Sequence, residues 1–284
     1  IYNLMIYIEL LGGLGNQLFQ IFTILEYSLE YKIPFKIKNE KDDKVSPLDN
    51  KSLRPVYWNN FLITLKPFLY YENLNLQIFK EPNFRYYKIP RYEQSFRLFG
   101  YFQSYKYFEH NYNNILRLIG FQYNQDCIRQ KYASLFERKT ISVHFRIGDY
   151  KIKPDYHPVL ESKYYIKCFE YLYKNLNNIM DYNILYFGEK DDDVMIKNRI
   201  SDIKKYYPNL NYIQCDYDIS DWEQMVLMSL CEHNIIANST FSWWGAYFNH
   251  NTEKTVCYPS VWFGPRLEND TRDFFPEKWV KVIV

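Results

Sequence analysis

From Ile141 onward the chain alternates short apolar runs with segments of helical periodicity, and this alternation limits the fold more than any other feature. A strand pattern from Thr140 to Phe145 precedes a helical one from about Ser162 to Leu176, where Tyr165, Phe169 and Leu172 share a face. Asn183 to Phe187 reads as the next strand, and about Asp192 to Tyr206 as the next helix. Leu210 to Cys215 and Trp222 to Cys231 repeat the pair, with Asp221 where a carboxylate suits the helix dipole. Asn234 to Ala237 is a short strand, Asn238 to Ser242 opens a helix running through Asn249, and Lys254 to Tyr258 closes the set. Apolar strands alternating with helices predict a parallel, doubly wound sheet.

In such a sheet every strand ends on the same edge, and open α/β sheets bind ligands there. The predicted edge carries Arg146 and Asp149, Glu189, Asp216, and Asn238 to Ser242. Arg146 sits in Ser142-Val143-His144-Phe145-Arg146-Ile147-Gly148-Asp149-Tyr150. A guanidinium is a planar fork that matches two phosphate oxygens. The plainer account is a surface turn closed by an Arg146–Asp149 salt bridge. Asn238-Ser239-Thr240-Phe241-Ser242 places hydroxyls at a helix start. They either cap the helix through Ser239 or Thr240, or join its free N–H groups in binding an anion. Together with the arginine loop they suit a diphosphate. His144 is either a core histidine or part of that site. Glu189, at the end of its strand, could accept from the N–H groups of a guanine edge, and Trp243-Trp244 read either as core or as a wall of the sugar pocket.

The first half opens with another strand, Met5 to Leu11, then Gly12-Gly13-Leu14-Gly15-Asn16-Gln17 and a helical pattern up to about Tyr31. Lys32 to Lys38 supplies a second strand. Gly13 and Gly15 match the first glycines of a dinucleotide fingerprint, but Leu18 occupies the third position. Three accounts stay open: a truncated dinucleotide site, a tight turn packing helix on strand, or a loop presenting N–H groups and the Asn16 and Gln17 amides to a substrate. Residues 39–60 are polar and read as an exposed loop. Residues 61–110 are irregular, with Pro67, Pro82 and Pro90 opposing any long helix, and Phe96 to Phe102 as a strand that turns into a helix. Residues 111–139 read as helical. The boundary falls at Glu137-Arg138-Lys139, giving an N-terminal α/β domain at 1–139 and a C-terminal Rossmann-like domain at 140–284.

Composition removes several function classes. The formal net charge is +2, from 35 basic and 33 acidic residues, with no basic run, so no nucleic-acid partner is expected. The 30 tyrosines and 21 phenylalanines reflect AT-rich codons more than an aromatic sugar platform. Cys127, Cys168, Cys215, Cys231 and Cys257 are widely spaced, form no C-x-x-C, and read as thiols in a reducing compartment. No apolar stretch approaches the roughly 18 residues of a membrane span. The start, Ile1-Tyr2-Asn3, has no signal-peptide pattern, and Met5 is a possible native start. Sequons at Asn238 and Asn269 carry no meaning in a cytoplasmic protein, which is the expected location.

Four ordered segments resemble known signatures: Gly12-Gly13-Leu14-Gly15-Asn16-Gln17-Leu18-Phe19-Gln20, Gly100-Tyr101-Phe102-Gln103-Ser104, His144-Phe145-Arg146-Ile147-Gly148-Asp149-Tyr150, and Asn238-Ser239-Thr240-Phe241-Ser242-Trp243-Trp244. They resemble the α-1,2-fucosyltransferases of glycosyltransferase family 11, over about Met5 to Asn249. The resemblance implies a GT-B-like fold, two Rossmann-type domains facing a cleft, with the acceptor on the N-terminal side. It implies GDP-fucose as donor and inverting transfer to the 2-hydroxyl of a terminal galactose, with no metal and no other cofactor. The implied donor-binding set is His144, Arg146, Glu189, Asn238, Ser239, Thr240, Phe241 and Ser242, with Gly13 and Gly15 of the first turn. Arg146 binds the diphosphate, and Asn16 faces the sugar. Where the family commonly has a second arginine this chain has Ile147, which leaves Arg146 as the only fork in the loop.

The expected reaction is a single displacement in which Arg146 and a helix N-terminus stabilise the departing diphosphate. Asp149, Asp155, His157 and, as an orienting amide, Asn16 are the candidates for handling the acceptor proton. The rivals are transfer of another nucleotide-linked deoxysugar, a nicotinamide oxidoreductase using the glycine turn, and a glycan-binding relative without catalysis.

Overall fold

The structure is a computed structural model and describes residues 4–39 and 55–284. Most of the loop expected at 39–60 therefore lies outside the described residues. The chain divides into two compact units, Ile1–Asn124 with Asn269–Pro276, and Gln125–Glu268 with Glu277–Val284.

The first unit holds β1 (Ile6–Ile8), α1 (Leu14–Tyr31), β2 (Phe35–Lys38), β3 (Leu69–Tyr70), β4 (Gln77–Lys80), β5 (Phe96–Phe99) and α2 (Tyr112–Leu118). Its sheet runs β3-β2-β1-β5-β4 with every pair parallel. The buried face of α1 carries Leu18, Phe19, Ile21, Phe22, Ile24 and Leu25, the spacing that predicted the helix. Within residues 55–60, Tyr57 and Trp58 are buried, so this end of the expected loop belongs to the core. The irregular stretch 61–110 contains β3 and β4. Both are short edge strands, and β4 exposes three of its four residues, so neither shows a clear apolar pattern.

A third helix, α3 (Phe121–Lys131), crosses the division between units. The helical run expected over 111–139 is broken at Ile119-Gly120 and again before a short 3-10 turn at Ala133–Phe136. The units part at Asn124/Gln125, ahead of the expected 139/140. From Gln125 onward α3 bonds into the second unit: Gln125 Nε2 donates to Ser229 Oγ at 2.9 Å, and Lys131 Nζ pairs with Glu223 at 2.7 Å. The segment 269–276 returns to the first unit. Asp273 receives Lys106 Nζ at 2.7 Å and Arg85 Nε at 3.2 Å, and its carbonyl accepts from the buried Ser104 hydroxyl.

The second unit comprises β6 (Lys139–His144), α4 (Ser162–Asn175), β7 (Tyr182–Phe187), α5 (Asp193–Tyr206), β8 (Asn211–Gln214), α6 (Asp221–Ser229), β9 (His233–Ile235), α7 (Thr240–Tyr247), β10 (Val256–Pro259) and β11 (Val280–Val282). Its sheet is fully parallel, in the order β11-β10-β9-β6-β7-β8. Every expected strand and helix of this half is present. The strand β11 was not expected; at three residues and one edge it carries little pattern. Ile141, Val143 and Phe145 of the central strand pack with Tyr164, Tyr165 and Phe169 of α4 and Ile196 and Ile200 of α5. Trp243 and Trp244 are fully buried, with their rings 5.1 Å apart, as expected of core residues. Each unit is a Rossmann-type parallel α/β layer, the GT-B-like class expected.

Candidate active site

The register of the second sheet pairs His144 with Phe187, Val143 with Ile235 and Tyr186 with Gln214. The ends of β6, β7, β8 and β9 therefore share one edge, and Arg146, Glu189, Asp216 and Asn238 follow them there. Arg146 is the centre of this edge. Its two terminal nitrogens are paired with Asp149 and with Glu189, and its guanidinium lies over the Tyr150 ring at 5.1 Å. Burial opposes the charge of Arg146, but Glu189, Tyr150 and Asp149 outweigh it and hold the group more firmly protonated than a free arginine.

Beside it, Gly148 adopts φ +25, where a Cβ would sit 2.8 Å from Glu189 Oε2. The positive φ favours glycine here, and the absent side chain leaves room for the Glu189 carboxylate. Its N–H donates to Asp192 Oδ2 at 2.6 Å, and Lys151 Nζ reaches Asp192 Oδ1 at 2.5 Å. The turn is thus laced by ion pairs and charge-assisted hydrogen bonds, which are the stronger kind.

His144 is buried and its Nδ1 has no hydrogen-bond partner, so it is not a satisfied core histidine. Burial, assisted by Arg146, pushes its pKa down to about 3, and the ring is neutral at ordinary pH. It lies 5.5 Å from the Phe241 ring, which brings the β6 end and the start of α7 together. Tyr150 makes the same link from its hydroxyl, which donates to Asn238 O at 3.0 Å. His157 stacks on Tyr150 at 4.7 Å. Burial lowers its pKa; Asp149 opposes that shift, and Arg146 adds to it.

The glycosyl transferase family 11 model matches residues 30–282. The chain belongs to glycosyltransferase family 11. It is 32% identical over 195 residues to the O-antigen biosynthesis glycosyltransferase WbnK of Escherichia coli, covering 65% of this chain and 60% of that protein. An α-1,2-colitosyltransferase of Escherichia coli is 28% identical over 297 residues, covering 96% of this chain and 97% of that protein. A galactoside 2-α-L-fucosyltransferase of Caenorhabditis elegans is 25% identical over 194 residues, covering 64% and 51%. The chain therefore spans less than two thirds of WbnK and about half of the nematode protein, but nearly all of the colitosyltransferase.

Other expected donor residues of this family 11 chain have different surroundings. Ser239 caps α7, its Oγ accepting from Phe241 N at 3.3 Å, so the capping account holds for it. Thr240 and Phe241 lie half-buried in the first turn of α7. Ser242 is buried, and its hydroxyl donates toward Ser239 O at 3.3 Å and Ala237 O at 3.5 Å. It points inward, because the third residue of the helix start turns onto the sheet. Asn238 spends its amide N–H groups on Pro158 O at 2.9 Å and Trp262 O at 3.2 Å, while its Oδ1 is buried without a partner. Asp155 stands apart from the Arg146 cluster as an exposed carboxylate, 3.7 Å from Arg266 Nε.

In the first unit the equivalent place, after β1, is the glycine turn. Gly12 takes φ +77, where a Cβ would meet Asn16 Nδ2 at 2.5 Å, so Gly12 rather than Gly13 or Gly15 is the residue the turn cannot replace. Gly13 precedes α1 in extended backbone, and Gly15 is buried within its first turn. Amides hold this turn. Gln20 Nε2 donates to Leu11 O at 2.8 Å and Asn16 O at 2.9 Å, and Gln20 Oε1 accepts from Leu11 N at 3.0 Å. Gln17 Nε2 donates to Gly12 O, and Asn16 Oδ1 accepts from Gln103 Nε2 at 2.8 Å.

Sequence reasoning missed Tyr150, Lys151, Asp192 and Glu81. Tyr150 and Lys151 lie at the arginine loop, but Asn238 and Asp192, to which they donate, lie far along the chain. Glu81 follows β4 and accepts from Tyr101 N at 2.8 Å and Phe102 N at 2.9 Å. Burial pushes its carboxyl up to about 7 against those two bonds. Among the described residues, no group of three or more His, Cys, Asp or Glu is arranged to hold a metal ion. No helix among them is long and apolar enough to cross a membrane.

Proposed function

We propose that this chain transfers L-fucose from GDP-L-fucose to the 2-hydroxyl of a terminal galactose, with inversion, to give an α-1,2 linkage. The observation that carries the reading is Arg146, a mostly enclosed guanidinium at the end of a central strand, oriented by Asp149 and backed by Tyr150. Such a fork, beside the N-terminus of α7, suits a diphosphate leaving group. The names of the colitosyltransferase and the nematode relative supply the linkage, and the latter also supplies the sugar and the galactoside acceptor.

In the reaction the acceptor oxygen bonds to the anomeric carbon as the bond from that carbon to the β-phosphate oxygen breaks. Arg146 stabilises the charge that develops on GDP, typically the largest catalytic contribution. The proton of the acceptor hydroxyl goes to a base. His157 suits that role better than Asp155, because it packs on Tyr150 within the Arg146 cluster and its lowered pKa keeps it neutral at pH 7. Asn16 and the neutral glycine turn suit sugar hydroxyls rather than phosphates. No metal takes part, since Arg146 and α7 supply the charge stabilisation.

The test is incubation with GDP-fucose and galactose-terminated acceptors, with GDP release measured and the product linkage read by NMR. Turnover that EDTA leaves unchanged, giving an α-1,2 product, is expected. Absence of GDP release by folded protein across the acceptors overturns the proposal. A second reading is a 3-deoxy analogue of fucose as the transferred sugar, favoured by the match to the colitosyltransferase along 96% of this chain. GDP-fucose and GDP-colitose assayed side by side separate the two by kcat/KM.

A further inference from the structure

Three carboxylates and two cations crowd the turn after β6: Asp149, Glu189 and Asp192 against Arg146 and Lys151. A diphosphate arriving there meets a cluster already carrying one excess negative charge. The carboxylates differ in their freedom to leave. The side chains of Asp149 and Asp192 are 2% and 1% exposed, and each has a fixed partner in Arg146 or in Gly148 N and Lys151. The side chain of Glu189 is 52% exposed, and its carboxylate pairs with Arg146. Arg146 itself is 20% exposed, too enclosed to lose its counter-charge without cost.

We propose that Glu189 is an exchangeable stand-in for the donor diphosphate. It neutralises the outer arm of Arg146 in the empty protein and swings away when phosphate oxygens take that arm, while Asp149 keeps the inner arm in place. Gly148 leaves the space over which the Glu189 carboxylate rests. The inference rests on the diphosphate reading of Arg146 given above. It makes Glu189 a competitor of the phosphates, a role opposite in sign to reading the guanine base.

Calorimetric titration of Glu189→Gln with GDP and with inorganic pyrophosphate tests it. Removing the competing charge tightens both ligands by about two- to fivefold, the range for an ion pair with one exposed partner. Glu189→Ala, which lacks any group able to bond Arg146, shifts both in the same direction. Unchanged or weakened pyrophosphate binding in both variants overturns the proposal. Weakened GDP with unchanged pyrophosphate overturns it in favour of a base-reading carboxylate. Arg146→Ala, titrated in parallel, isolates the underlying reading: if it binds GDP and pyrophosphate like the wild type, the diphosphate assignment fails, whatever Glu189 does.

Discussion

The turns after β1 and β6 occupy equivalent places, each following a central strand of a fully parallel sheet. They are held in opposite ways. The β1 turn is closed by the amides of Gln17 and Gln20, with Asn16 tied to Gln103. The β6 turn is closed by Arg146, Asp149, Glu189, Lys151 and Asp192. One backbone solution thus supports two chemistries. An amide mesh offers donors and acceptors that carry no net charge of their own, which suits uncharged sugar. A charge mesh with a displaceable member suits a polyanion.

The sharpest way to break the contrast is to remove the charge. Arg146→Ala is expected to lower kcat/KM by about 10²- to 10³-fold, the size of losing one preorganised stabiliser of a developing anion. Steady-state kinetics with GDP-fucose check it. A loss below about tenfold means that the charged turn is structural and the two turns differ only in how they are built.

The amide turn is broken at Gln20. This residue is fully buried and bonds both the N–H and the carbonyl of Leu11. Gln20→Ala leaves those groups unpaired and is expected to cost about 3 kcal/mol in urea unfolding. GDP affinity of the protein that remains folded should be unchanged.

In the first unit Glu81 is a carboxyl whose charge is suppressed by burial. The folded pKa is raised to about 7, so the folded protein keeps a proton that the unfolded chain releases near the ordinary glutamate value of 4.5. This contribution to stability is complete below pH 4.5 and is lost as pH rises to about 7, by roughly 2–3 kcal/mol. Glu81→Gln keeps an acceptor for Tyr101 N and Phe102 N without the charge. Buried neutral histidines such as His144 and His233 raise stability from pH 5 to pH 8 in both proteins, so the urea midpoint should rise more over that interval in the variant than in the wild type. Equal slopes for both proteins would place the cause elsewhere.

The contrast between the turns was half legible in the sequence. Strands β6 and β7 are buried on both faces and each carries enough apolar residues between helical segments for its end, and Arg146 with it, to be located in advance. Glycines and amides marked the first turn, but Gly13 and Gly15 drew attention although Gly12 holds the positive φ. Glu81 was invisible because β4 exposes most of its residues and finds its place only by pairing with β5. Asp192 looked like one more acid at a helix start; only tertiary packing places it under Gly148 N. The same limit applies to Ser239 and Ser242, alike in sequence but one accepting from Phe241 N as a helix cap and the other donating to the carbonyls of Ala237 and Ser239.

Those two serines give the smallest and most selective test of how far the anion site extends from Arg146. Ser239→Ala removes the α7 cap and should cost about 1 kcal/mol of stability. Because the cap lies at the helix start that faces the ligand edge, it should also weaken GDP binding about two- to threefold, near the lower end of helix-terminus effects. Ser242→Ala removes a hydroxyl that donates only into the backbone of its own turn, so GDP affinity should be unchanged within error. Thermal melts with parallel GDP titrations of both variants check this. If Ser242→Ala weakens GDP more than Ser239→Ala does, the hydroxyl turns outward when ligand binds, and α7 contributes side chains as well as its N-terminus.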